Sequence, residues 1–144
     1  ETLKKVVPAS KVEAPELFTL ILFNHLLSNG DAHLKNFSLI ETEQGDFKLS
    51  PAYDLLNTKI HIEDADFALS DVLLPKSIAK GKIKEQFILL GQKAEIPEKI
   101  VSKIFKNLTS QENEVIELTN RSFLSEQLKR NFIQSYQTRL KKIS

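Results

Sequence analysis

The sequence predicts an α+β fold, mainly helical, and three observations carry that expectation. Residues 16–28 are apolar almost all the way round, through Leu17, Phe18, Leu20, Ile21, Leu22, Phe23, Leu26 and Leu27, as a helix buried on several sides requires. Two short stretches, 37–41 and 46–50, alternate apolar and polar residues at period two, which marks an antiparallel hairpin. From residue 83 onward the apolar residues fall into stripes at helical spacing.

Taken in order, residues 1–13 contain the breakers Pro8 and Ser10 and read as loop. Pro15 suits the first turn of a helix, where its missing N–H would be unpaired anyway. Asn29-Gly30 predicts the end of that helix, because glycine accepts a left-handed cap. In the hairpin, Phe37 and Leu39 alternate on one strand and Phe47 and Leu49 on the other, with Glu43-Gln44-Gly45-Asp46 between them and Pro51 closing the unit. Residues 57–74 carry Glu63, Asp64, Asp66 and Asp71 with little periodicity beyond room for a short strand at Phe67-Ala68-Leu69, so they read as a loop of functional length. Pro75 opens a basic connection through Lys76, Lys80, Lys82 and Lys84. Ile83, Phe87, Leu90 and Ala94 mark one helix; Ile100, Val101, Ile104, Phe105 and Leu108 mark a second, opened by Pro97. Val115, Ile116 and Leu118 continue after residues 107–110, where Thr109 and Glu112 have the spacing of a capping box. Leu124, Leu128, Phe132, Tyr136 and Leu140 form a last stripe.

With 144 residues, 41% hydrophobic and 27% charged, the chain has the makings of one globular domain with a real core. A net charge of +1 provides no global field for nucleic acid or a membrane surface. The absence of cysteine excludes disulfides and thiolate metal sites. No long charge-free apolar run argues for a membrane span, and the N-terminal residues do not resemble a secretion signal, so a cytoplasmic location is expected. The chain has no methionine and begins at Glu1, as a processed chain, an excised piece or one lacking its start would.

The segment that carries chemistry is Asn29-Gly30-Asp31-Ala32-His33-Leu34-Lys35-Asn36. Asp31 and Asn36 are five residues apart, the spacing of the catalytic aspartate and metal-binding asparagine of a kinase catalytic loop. A hairpin returns the chain to its starting end, so Asp54, just past the second strand, is expected beside Asn36. A carboxylate and an amide oxygen converging on one point suit Mg²⁺. Charge then assigns roles: Asp54 to the metal bridging a nucleotide's phosphates, Asn36 as a neutral ligand of a second metal, and Asp31 to orient the acceptor hydroxyl and take its proton. His33 and Lys35, on the same loop, are candidates to touch phosphate or substrate. Singly, Asp31 reads more readily as a solvated residue after a helix cap, Asn36 as a turn residue and His33 as a packed histidine; their combination with the hairpin and Asp54 favours the phosphotransfer reading.

That loop, followed by Pro51-Ala52-Tyr53-Asp54-Leu55-Leu56, resembles the C-terminal domain of HipA-like serine/threonine kinases, most sharply over residues 15–58. The resemblance implies a protein-kinase-like C-lobe, Asp31 as catalytic base, Asn36 and Asp54 as Mg²⁺ ligands, and ATP as phosphate donor. The family comprises bacterial toxins of toxin–antitoxin systems. It therefore also implies an aminoacyl-tRNA synthetase as protein substrate and a DNA-binding helix-turn-helix antitoxin as partner. On this reading residues 1–144 are one domain: loop over 1–14, catalytic core over 15–58, an activation-like loop over 59–75, and a helical subdomain over 76–144. Asp54 precedes Leu55-Leu56 rather than Phe-Gly, which fits this family and not ordinary protein kinases. The glycines at 30, 45, 81 and 91 form no phosphate-cradling motif, and only 30 residues precede Asp31. The expectation is therefore a fragment without its ATP-clamping N-lobe, which alone binds Mg-ATP weakly and transfers no phosphate.

Other readings differ in class. A decayed or split kinase remnant would only dock a partner. A lipid kinase shares the Asp-x-His-x-x-Asn string but not the context of Tyr53 and Leu55. A metal hydrolase built on His25, His33 and Asp31 is disfavoured because His25 lies inside the apolar helix, as a hydrogen-bonded core residue does. His61 is expected at the surface. The lysines at 76–84 and Lys141-Lys142 lack interleaved aromatics and read as solvated faces, so no direct nucleic-acid binding is expected.

Overall fold

The structure, a computed structural model, describes residues 5–58 and 82–144, apart from the side chain of Leu34. The activation-like loop, the strand at 67–69, His61 and the lysines at 76 and 80 lie outside the described residues. Helix α1 spans Ser10–Leu26 and leads through a 3-10 turn at Leu34–Asn36 to strands β1 (Leu39–Glu41) and β2 (Phe47–Leu49). Among the described residues four helices follow: α2 at Ile83–Lys93, α3 at Glu98–Thr109, α4 at Glu112–Arg121 and α5 at Glu126–Ile143. The fold is α+β and mainly helical, as expected.

Helix α1 begins earlier than its proline suggests. The loop predicted over residues 1–14 is helical from Ser10, and Pro15 sits inside the helix. Tertiary contacts account for the correction. Val7 is buried just before the helix, and the Glu13 carboxylate accepts the Leu49 N–H at 3.0 Å, tying the first turns of α1 to β2. An interior proline loses one backbone bond, and Thr19 Oγ1 donates to the Pro15 carbonyl at 2.7 Å one turn on. At its other end α1 stops at Leu26, and the left-handed residue is Ser28, with φ 57°, rather than Gly30. The Asn29 N–H still closes the turn on the Asn24 carbonyl at 3.0 Å.

The core forms where α1 meets the later helices. Phe18, Phe87 and Phe105, one from each of α1, α2 and α3, meet edge to face with centroids 6.0, 6.2 and 6.3 Å apart. Such pairs add about 1 kcal/mol each beyond burial. Helices α2 and α3 approach closely at Gly91, where a Cβ would stand 2.8 Å from Val101 Cγ2. Tyr136, Leu140 and Ile143 close the cluster from α5. Pro97 precedes α3 directly, as predicted. Thr109 does not cap the next helix: it ends α3, with Oγ1 donating to the Phe105 carbonyl at 2.9 Å, because the chain turns only at Ser110 and Gln111. Helix α5 is capped by Ser125, whose Oγ accepts the Leu128 N–H.

His25 is a core residue, 2% exposed. Its Nδ1 lies 3.3 Å from Arg139 Nη1, and its ring meets Phe87 edge to face at 5.4 Å. Burial, then the charges of Arg139 and Lys142, holds its pKa down at about 3, so the imidazole is neutral. A neutral ring can accept from Arg139 at Nδ1, which places its proton on Nε2. No helix among the described residues is long and apolar enough to cross a membrane.

Candidate active site

The hairpin brings the candidate residues to one place. Strands β1 and β2 pair antiparallel with Leu39 opposite Leu49 and Glu41 opposite Phe47. Gly45 takes the positive φ of 80° that the turn requires, and the Thr42 N–H reaches the Asp46 carbonyl at 2.8 Å. At the open end the Ser50 N–H donates to the Ser38 carbonyl at 2.9 Å, and the two serine hydroxyls meet at 3.0 Å. The chain therefore leaves Ser50 beside the segment that entered the hairpin, within reach of the loop over residues 29–36.

Within the loop, the His33 N–H bonds the Asp31 carbonyl at 2.7 Å and the Asn36 N–H bonds the His33 carbonyl at 2.9 Å. This tight winding carries the Asn36 side chain back over Asp31. Asn36 Nδ2 donates to the Asp31 carbonyl at 2.7 Å and to Asp54 Oδ2 at 2.9 Å. Both partners can only accept, so the nitrogen must face them, and Oδ1 is left without a hydrogen bond among the described residues. The structure thus brings Asn36 and Asp54 into direct contact. The Asp31 carboxylate, about half exposed, faces His33 Nε2 at 3.4 Å. Lys35 is exposed and joins the site through its backbone, its carbonyl accepting the Tyr53 hydroxyl at 3.1 Å.

Segment 53–58 is stitched to the loop at two further points. Asn29 Nδ2 donates to the Asp54 carbonyl at 2.9 Å. Thr58 Oγ1 accepts the Gly30 N–H at 2.8 Å and lies 3.4 Å from the Ser28 carbonyl. Asp54 itself adopts a left-handed backbone, φ 55°. Beneath the loop, Ser28 Oγ meets Ser135 Oγ at 2.7 Å, anchoring it to α5.

Sequence reasoning did not single out Asn24, Asn29 or Thr58 for these contacts. A signal was present for Asn24, a polar residue interrupting an apolar helix, since buried polar groups are nearly always hydrogen-bonded. Thr58 gave none, because its partners lie 28 and 30 residues away.

The residues present fit a magnesium ion. Among the described residues no three His, Cys, Asp or Glu side chains gather as a closed protein cage. One carboxylate and one free amide oxygen instead match the way Mg²⁺ is held, by a few protein oxygens together with phosphates and water.

Comparison with known proteins agrees with this architecture. The HipA-like C-terminal domain family matches residues 1–116. A protein of Sinorhizobium fredii named "Putative kinase Y4dM" is 39% identical over 95 residues, covering 66% of this chain and 23% of that protein. A second from the same organism, "Putative kinase Y4mE", is 40% identical over 58 residues, 40% of this chain and 14% of its own length. A "Putative kinase" of Haemophilus influenzae is 26% identical over 139 residues, 87% of this chain and 40% of that protein. The chain thus spans well under half the length of each of these relatives.

Proposed function

The chain belongs to the HipA-like C-terminal domain family, and on that premise we propose that it is the metal-holding and proton-accepting part of a protein serine/threonine kinase. The observation that carries the proposal is the contact of Asn36 with both the Asp31 carbonyl and the Asp54 carboxylate, which joins the two halves of the site through one side chain.

Asp54, and Asn36 through its Oδ1, are the residues that would hold the Mg²⁺ of Mg-ATP. When bound, the ion neutralises charge on the phosphate oxygens. The Asp31 carboxylate, exposed at the mouth of the loop, orients the acceptor hydroxyl and receives its proton. The hydroxyl oxygen forms the new bond to the γ-phosphorus as the bond to ADP's oxygen breaks. Because such transfers pass through a loose transition state, placing these groups matters more than basicity. His33, 3.4 Å from Asp31, is positioned to restrict that carboxylate and to meet a phosphate oxygen. The family resemblance supports a serine or threonine of a protein as the acceptor and a toxin–antitoxin pair as the physiological setting.

The test is transfer of labelled γ-phosphate to protein serine or threonine by a polypeptide of the relatives' full length. Asp31→Asn is expected to lower the rate roughly a thousandfold, and transfer is expected to require Mg²⁺. Equal rates for the two proteins would remove Asp31 from the reaction.

A further inference from the structure

We propose that Asn29 is the positioning residue that sets Asp54 and Asp31 relative to each other, a role that rests on the metal-dependent reading above. Asn29 is 2% exposed, and its side chain is committed at both ends. Nδ2 donates to the Asp54 carbonyl at 2.9 Å and to Asn24 Oδ1 at 2.7 Å, while Oδ1 accepts the Asp31 N–H at 3.1 Å. An amide has two N–H groups, so both are used. Its orientation is forced, since a backbone carbonyl cannot donate and a peptide N–H cannot accept.

The anchor of this arrangement is buried in the helix. Asn24, 3% exposed, donates from Nδ2 to the Leu20 carbonyl at 2.9 Å inside α1. A line of amides therefore runs from the body of the buried helix to the two aspartates. Asp54 needs such support. It lies in a stretch without regular secondary structure and keeps a left-handed φ of 55°. A non-glycine residue stays in that region only when its surroundings over-determine it. Here Asn29 holds the carbonyl and Asn36 the carboxylate, so the residue is gripped at both ends.

Helix capping does not explain the Asn29 side chain. The backbone N–H of residue 29 already closes on the Asn24 carbonyl at 3.0 Å, which many residue types could do. What the amide adds is the connection between Asp31 and Asp54.

Mn²⁺ titration of the full 144-residue chain, followed by paramagnetic broadening of the amide signals of residues 31, 36 and 54, tests the role. Removing a residue that orients a metal ligand lowers affinity about tenfold. Asn29→Ala is expected to show that loss, and Asn29→Ser, too short to reach the Asp54 carbonyl, provides the same reading if the alanine variant does not fold. Phe105→Leu, in the core away from the loop, is the comparison: a lowered Tm with Mn²⁺ affinity unchanged separates positioning from general destabilisation. Folded Asn29 variants that bind Mn²⁺ as the parent does, while Asp54→Ala abolishes binding, would overturn the positioning role alone. Absence of broadening in the parent, or its persistence in Asp54→Ala, would instead overturn the metal reading and the proposal with it.

Discussion

Around Phe18, Phe87 and Phe105 this protein is held by apolar burial, whereas from Asn29 to Thr58 it is held by hydrogen bonds that cross between segments. The first region excludes water: Phe87 and Leu22 are fully buried and several helices converge on them. The second leaves Asp31 and Asp54 exposed and fixes them through amide and hydroxyl side chains. Burial stabilises a scaffold without regard to direction, while hydrogen bonds orient groups at modest net stabilisation, typically about 1 kcal/mol each. A site of the kind proposed needs orientation and access, so it belongs at the edge of the scaffold and not inside it. His25 and Ser28 stand at the junction, each bonded to α5.

The largest expected effect falls on the scaffold. Phe87→Ala removes a ring with no exposed surface that touches Phe18, Phe105 and His25, and should cost about 4 kcal/mol in urea unfolding. A loss below about 1 kcal/mol would show that the aromatic cluster does not dominate the fold.

The junction should respond to pH. His25 has an ordinary pKa of 6.5 when unfolded and about 3 when folded, so between those values the unfolded chain binds the extra proton. Its contribution is complete above the upper value and is lost as pH falls toward the lower one, at about 1.4 kcal/mol per pH unit. From pH 6.5 to 4 this amounts to roughly 3 kcal/mol. His25→Gln, which keeps an acceptor for Arg139, should flatten that part of the stability curve. An unchanged slope would assign the acid sensitivity to other groups.

The smallest effect on stability is expected at the site. Among the described residues the Asp31 carboxylate faces only His33, and both side chains are about half exposed. Such pairs contribute little. Asp31→Asn should therefore leave the unfolding free energy within about 0.5 kcal/mol while lowering the proposed phosphotransfer roughly a thousandfold. A large loss of stability would blur the division between scaffold and site.

Much of the scaffold was legible because helix and strand periods are local properties. The stripes at 83–94 and 100–108, Pro97 before α3, and the paired strands all stand where the patterns put them, with boundaries within two residues. The errors at the two ends of α1 share one cause. Pro15 and Gly30 are local punctuation, and tertiary contacts by Val7, Glu13 and Ser28 moved the ends of α1 away from them. The last stripe was incomplete for the same reason: Arg139 is buried against His25, which no hydropathy pattern anticipates.

By itself the chain determined which residue types were available at the site and how Asp31 and Asn36 were spaced, because covalent order and strand geometry fix how far a hairpin can carry Asp54 from Asn36. Only the tertiary structure decided which atoms meet: the nitrogen of Asn36 against Asp31 and Asp54, the left-handed turn of Asp54, and the buried amides of Asn24 and Asn29 beneath them. Hydrogen bonds depend on direction over a few tenths of an ångström. Sequence spacing constrains position only to within several residues' reach.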